Sequence, residues 1–238
     1  MSGIWAIVPV KALERGKSRL ATRFTVAERR ELSLAMLEDV LSAILQAQSI
    51  AGCVVVHSDA QVKSIAERLG LAELQETGAP ADLNAALRQG LTWLDRLQPD
   101  GVLIIPADVP LVTASALEQL VRASSGARVL TICPSLDRTG TNALLVRPPS
   151  PFLPLYGIGS FQAHVEQAEV MGATLNVLDL PSIALDLDEP RDVEQFLDID
   201  SDTRTRAVLA RMNRPSLNGL SDVATVAQPM ASPITPDS

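Results

Sequence analysis

The strongest constraint on this chain is a recurrence. Through its first 133 residues, short apolar runs of strand length alternate with stretches whose apolar residues fall at helical spacing. Ile4 to Val10 is the first run, a buried strand that ends in a basic loop. Thr25 and Glu28 then form a T-x-x-E capping box. Leu32, Ala35, Met36, Val40, Ile44 and Leu45 continue the pattern as an amphipathic helix to about Gln48. Gly52 to His57 reads as a second strand. Asp59 caps a helix to Leu69 with Gly70 at its end, and Leu71 to Gln75 is a short strand. After the loop at 77–82, Leu83 to Leu97 is a further amphipathic helix. Val102 to Ile105 is the most apolar strand and should be central; it runs directly into Pro106-Ala107-Asp108-Val109-Pro110. Thr113 or Ser115 caps the next helix, and Arg128 to Cys133 is another strand. This alternation predicts an α/β fold with a mainly parallel sheet covered by helices on both faces.

Beyond Pro134 the pattern becomes rich in loops: DRTGTN, a strand-like ALLV, a proline cluster from Pro148 to Pro154, and YGIGS before a helix from Phe161 to Met171. Thr174 to Asp179 and Ser182 to Leu187 are expected strands, and Asp188-Glu189-Pro190 opens a helix with proline in its first turn. This half reads as an insertion that closes a site. Residues 1–200 form one expected domain, 201–212 a terminal helix, and 213–238 a tail whose Ser, Pro, Asn, Thr and Ala composition predicts disorder.

Composition narrows the partners. A net charge of −8 is unsuited to a broad field for nucleic acid or an anionic membrane, so a phosphate ligand must be held locally. One tyrosine, two tryptophans and four phenylalanines are too few for base-stacking platforms. Cys53 and Cys133 lie in apolar runs and read as small buried hydrophobes, neither disulfide partners nor metal ligands. No signal segment and no apolar run near membrane-spanning length is found, which predicts a cytoplasmic location.

Three clusters of residues could carry chemistry. Lys11, Lys17 and Arg19 follow the first strand, where an α/β sheet commonly receives a phosphate. Gly16-Lys17-Ser18 mimics a P-loop, but Lys11 stands where that motif needs its first glycine, and no G-x-G-x-x-G follows a strand. Asp108 ends the central strand, while Asp186 and Asp188 alternate with Leu185 and Leu187 on one face of an expected strand. Three hard oxygen ligands of this kind suit Mg²⁺. Gly157 and Gly159 allow close backbone approach to a ligand. Ser160, placed at the N-cap of the following helix, offers an anion site with free amides. His164 is expected to be partly buried or at the surface rather than catalytic, and His57 structural.

VPVKALERGKSRLA, IIPADVPL, RTGTNALLV, YGIGSFQAH and ALDLDEPRDV, in this order, resemble the 2-phospholactate guanylyltransferases of deazaflavin coenzyme F-420 biosynthesis. The resemblance implies a Rossmann-like, glycosyltransferase-A-type nucleotidyltransferase fold. It also implies transfer of GMP from GTP to 2-phospho-L-lactate, phosphoenolpyruvate or 3-phospho-D-glycerate with release of diphosphate. Lys11, Lys17 and Arg19 would hold the triphosphate, Asp108, Asp186 and Asp188 would bind Mg²⁺, Thr141, Gly157 and Ser160 the acceptor, and Asn84 the nucleotide. Ala107 stands where a glycine is common, and Asn142 where a small residue is common, so an acid with an extra hydroxyl enters the acceptor question. A labile product implies hand-off to the deazaflavin-transferring enzyme, and a homodimer is compatible with the resemblance. The competing readings are a related nucleotidyltransferase using another nucleotide or a sugar-phosphate or molybdopterin acceptor, and a non-catalytic GTP-binding module.

Overall fold

A computed structural model of the chain describes residues 3–13, 17–77 and 82–213; the expected tail beyond Asn213, and Gly16, lie outside the described residues. β1 (Ile4–Val10) is an apolar strand flanked on both sides by parallel neighbours, β2 (Ile50–His57) and β4 (Gly101–Ile104). β3 (Ala72–Gln75) extends the sheet beyond β2. On the other side β4 is followed by β6 (Thr141–Arg147), β5 (Val129–Pro134) and β7 (Thr174–Val177), in the spatial order β3-β2-β1-β4-β6-β5-β7. Only β6 runs antiparallel among the described strands.

That placement corrects one expectation. The segment after Pro134 is not an insertion laid over a finished sheet, because its ALLV run pairs with both β4 and β5 (Leu103 opposite Leu145, Leu130 opposite Val146). Thr141 through Val146 is buried throughout, which only a strand covered on both faces achieves. A second expectation also changes. Ser182 to Leu187 is not a strand: Pro181 takes the first position of a one-turn helix, α6 (Pro181–Ala184), and an extended, unladdered stretch follows.

Helices α1 (Val26–Gln46), α2 (Ala60–Arg68) and α4 (Ala114–Ala123) cover one face of the sheet, meeting Val8, Val55, Leu103 and Leu145 in a single apolar cluster. On the opposite face α3 (Leu83–Leu94) and α5 (Ser160–Val170) meet Ile7, Val54, Ile104 and Leu144. The period-two exchange between these two sets is what a doubly covered sheet requires. The capping box at the start of α1 is formed in both directions: Glu28 N–H donates to Thr25 Oγ1, and Thr25 N–H to the Glu28 carboxylate at 2.8 Å. Cys53 and Cys133 are buried free thiols, and burial raises both pKa values, to about 12 and about 11.

A third cluster lies outside the sheet. Leu20 of a short 3-10 turn (Ser18–Thr22), Leu32 and Met36 of α1, Leu185, Leu187, and Phe196 of α7 (Pro190–Asp198) pack with Val208 and Leu209 of α8 (Arg204–Met212). It joins the basic loop, the carboxylate segment and α8. Asp39, buried on α1, accepts from the backbone N–H groups of Arg204 and Thr205, both at 2.9 Å, and from the Thr205 hydroxyl at 2.7 Å. Replacing Asp39 with alanine leaves those donors unmet at a helix N-terminus. A loss of about 3 kcal/mol is expected, read as a lower urea midpoint at unchanged m-value. A change within 0.5 kcal/mol, on the order of surface-substitution scatter, would sink this account.

Candidate active site

The strand order reverses direction at β1 and β4. β2 and β3 lie to one side of β1, and the chain returns to the other side for β4. The crevice beyond the carboxyl ends of such a pair is where α/β sheets bind ligands. Lys11 leaves the end of β1 at this point. Ile105, whose N–H donates to the Ile7 carbonyl at 3.1 Å, extends β4 toward Pro106, Ala107 and Asp108. Because β6 is antiparallel, its first residue, Thr141, arrives at the same end of the sheet. Together these elements line a cleft of about 750 Å³.

Asp186 and Asp188 reach the cleft by a route that needs no strand. The extended stretch from Leu185 buries Leu185 and Leu187 and turns Asp186 and Asp188 the other way, so the period-two reading of the sequence holds without a ladder. One backbone bond fixes it in place, from Leu187 N–H to the Asp108 carbonyl at 3.0 Å. Carboxylate oxygens of Asp108, Asp186 and Asp188 consequently lie within 4.8 Å of one another. Burial and the Asp108 charge raise the Asp186 pKa to about 6, an effect partly relieved by a hydrogen bond from Asn142.

Lys17 is placed differently from a lysine that simply lines a phosphate. Its ammonium lies between two of these carboxylates, 2.7 Å from Asp108 Oδ2 and 2.6 Å from Asp188 Oδ1. Burial works to lower its pKa, yet Asp108 and Asp188 overcome that and hold it up at about 12. Burial likewise opposes ionisation of Asp188, but Lys17, then Lys11 and Arg19, hold its carboxyl below the usual range. The Lys17 backbone is left-handed (φ 53°, ψ 38°), which costs a side-chain-bearing residue about 1–2 kcal/mol. The three carboxylates fit a hard cation, since an ammonium ion already occupies a bridging place among them. Arg19 stands at the mouth, largely exposed, and pairs with Glu189 at 3.1 Å.

Across the cleft lies the glycine loop. Gly157 (φ 143°) and Gly159 (φ 73°) adopt backbone conformations that glycine takes without strain. The helix cap is Gly159, and Ser160 is the first helical residue, buried, with its hydroxyl 3.4 Å from Thr141 Oγ1. This corrects the expectation of Ser160 as N-cap. Gly157, Ser160 and Thr141 line the cleft together with Lys11, Lys17, Arg19, Asp108, Asp186 and Asp188.

Asn84 is the exception among the expected site residues. Its amide donates to the Tyr156 carbonyl at 2.9 Å and accepts from the Tyr156 N–H at 2.8 Å, pinning the glycine loop to the start of α3. A nucleotide contact through this side chain requires those bonds to be exchanged. Asn142 is also committed elsewhere: its Nδ2 lies 3.0, 2.9 and 3.1 Å from the carbonyls of Ile183 and Ala184 and from Asp186 Oδ1. It therefore braces the Asp186 segment, and its amide donor is not free for an extra acceptor hydroxyl. His164 is fully buried behind Thr141, where a partly buried or surface position was expected. The i, i+4 spacing of Ser160 and His164 on one helix was the signal that linked it to the site.

A sheet switch point that gathers carboxylates on one wall and a glycine loop on the other defines a nucleotidyltransferase-type α/β fold. Solved structures agree on the architecture. A nucleotidyl transferase from Methanothermobacter thermautotrophicus superposes with a TM-score of 0.63 at 19% identity, over 82% of this chain and 96% of that one. CMP:2-keto-3-deoxy-manno-octonic acid synthetase, solved with CTP, does so at 0.53 and 14%, over 88% and 99%.

The chain itself belongs to the family described as CofC-like guanylyl transferases, whose model matches residues 4–215. It is 38% identical over 191 residues to a phosphoenolpyruvate guanylyltransferase of Sphaerobacter thermophilus, spanning 80% of this chain and 91% of the relative. It is 33% identical over 207 residues to the 2-phospho-L-lactate guanylyltransferase of Methanothermobacter thermautotrophicus, spanning 87% and 90%. The chain is therefore a guanylyltransferase.

Proposed function

We propose that this enzyme transfers GMP from GTP to a three-carbon phospho-acid and releases diphosphate, as a step of deazaflavin coenzyme F-420 biosynthesis in the cytoplasm. Among 2-phospho-L-lactate, phosphoenolpyruvate and 3-phospho-D-glycerate, phosphoenolpyruvate is put first, because it is the acid named for the relatives from Sphaerobacter thermophilus and Rubrobacter xylanophilus. The observation that carries the reading is the two-walled cleft. Lys11, Lys17, Arg19 and the three aspartates lie on one side, and Thr141, Gly157 and Ser160 on the other.

The chemistry asks little of a general base. The second pKa of a phosphate monoester is near about 6, so the attacking oxygen is already ionised at neutral pH. The protein must position two anions in line and neutralise their charge. Lys11 and Arg19 would take the triphosphate, Arg19 by exchanging its pairing with Glu189 for a phosphate oxygen. Lys17, shared between Asp108 and Asp188 on that same wall, can favour the departing diphosphate. Asp108, Asp186 and Asp188 would hold Mg²⁺, which when bound supplies further positive charge to the reacting phosphates. The phosphoanhydride product is labile and calls for hand-off to the enzyme that transfers it onto the deazaflavin.

The test is diphosphate release from GTP, ATP and CTP with each acid, with and without EDTA. GTP with phosphoenolpyruvate should exceed the other nucleotides by roughly 100-fold, about 2.7 kcal/mol of discrimination. Equal rates with all three nucleotides would overturn the assignment.

A further inference from the structure

Behind the acceptor wall a short hydrogen-bond chain ends on a hydroxyl. The Leu155 backbone N–H donates to His164 Nε2 at 3.2 Å, so that nitrogen carries no proton. The neutral ring must then be protonated at Nδ1, which lies 3.0 Å from Thr141 Oγ1 and donates to it. The Ser160 hydroxyl donates to the same oxygen at 3.4 Å. A hydroxyl oxygen has two lone pairs, and both are now engaged. The Thr141 proton is left to point into the cleft that Thr141 lines.

We propose that His164 is a positioning residue which fixes the direction of the Thr141 proton, making this hydroxyl an obligate donor to the carboxylate of the acceptor acid. The inference rests on the acceptor site lying at Thr141, as put forward above. The surroundings keep the ring in this role. His164 is fully buried, held by the Tyr156 ring edge-on at a centroid distance of 5.0 Å and by Phe152 at 5.9 Å. Burial lowers its pKa to about 4, so it stays neutral at working pH, and its bonds to Leu155 and Thr141 select the tautomer. A hydroxyl free to rotate would spend part of its time offering a lone pair to an anion, which repels it. The chain removes that orientation before the acid arrives.

Two amide substitutions separate the ring's two bonds. His164→Asn places an amide N–H near the position of Nδ1, restoring the donor to Thr141 while abandoning Leu155. His164→Gln reaches the position of Nε2, restoring the acceptor for Leu155 while abandoning Thr141. The expected result is an acceptor KM raised roughly tenfold in His164→Gln and within about twofold of wild type in His164→Asn. The GTP KM should be unchanged in both, although His164→Asn has the lower Tm. Equal acceptor KM values in the two variants, or a KM for both substrates that follows Tm, would overturn the proposal and leave the histidine a packing residue.

A second measurement needs no variant. The chain has two histidines, so a long-range ¹H–¹⁵N spectrum of the full protein contains two imidazoles. Both rings are buried, but His57 donates from Nε2 to Glu73, whereas His164 should show a protonated Nδ1 and a bare Nε2; two rings both protonated at Nε2 would also overturn the proposal. Wild-type protein silent with GTP and all three acids would instead bring down the functional reading itself, and this inference with it.

Discussion

Asp108→Asn should lower diphosphate release from GTP by roughly 10³-fold, about 4 kcal/mol of barrier, with the fold intact. The substitution keeps the shape of the side chain and removes one of three negative charges gathered within 4.8 Å. Asp108 is fixed at the end of the central strand by β4 and by the Leu187 N–H on its carbonyl, contacts the side chain does not make. Secondary structure and packing should therefore survive. Lys17 retains Asp188, so the unfolding free energy in EDTA should change by no more than about 1 kcal/mol. The Mg²⁺ concentration for half-maximal rate should rise, because a neutral amide replaces an anionic ligand. The GTP KM should move less than kcat, since the charge matters most to the phosphates as they react. Activity within tenfold of wild type, with an unaltered Mg²⁺ requirement, would remove Asp108 from the proposed machinery.

The layered fold was legible because it rests on local periodicity. The apolar runs at Ile4–Val10, Gly52–His57 and Val102–Ile105 alternate with helical patterns, and each coincides with a strand of the structure, the last overrunning β4 by one residue. The carboxylate placement was also legible, since buried leucines flanking Asp186 and Asp188 demand opposite faces whether or not the segment joins a sheet. Legibility failed where long-range pairing decides. Nothing near ALLV states that it lies between β4 and β5, as the partner of Leu145 in β4, Leu103, is 42 residues upstream and its β5 partners are 10 to 16 residues upstream. Asn84 and Asn142 carry side chains that suit a ligand as well as a backbone, and only the fold reveals that each is committed to a neighbouring peptide segment. Lys17 posed the hardest case. Its carboxylate partners are 91 and 171 positions away, and a lysine in a basic loop after β1 carries no local mark that it will fold inward between them.

For that reason Lys17→Met is the sharper experiment. Methionine fills similar space without charge, so Asp108 and Asp188 face one another with no cation between them. In EDTA the variant should lose about 2 kcal/mol of stability, less than for a fully buried pair because Asp188 is 45% exposed. Millimolar Mg²⁺ should return most of that loss, giving a thermal shift larger than in wild type, because the ammonium no longer competes for two of the three carboxylates. Turnover should nevertheless fall by roughly 100-fold, about 2.7 kcal/mol, since the charge placed for the departing diphosphate is gone. The two readouts move in opposite directions only if one lysine both holds the carboxylates and serves the phosphates. A variant as stable as wild type in EDTA, with the same Mg²⁺ shift, would mean that the Lys17 contacts with Asp108 and Asp188 carry no weight in solution. The lysine would then be an ordinary phosphate contact on the loop.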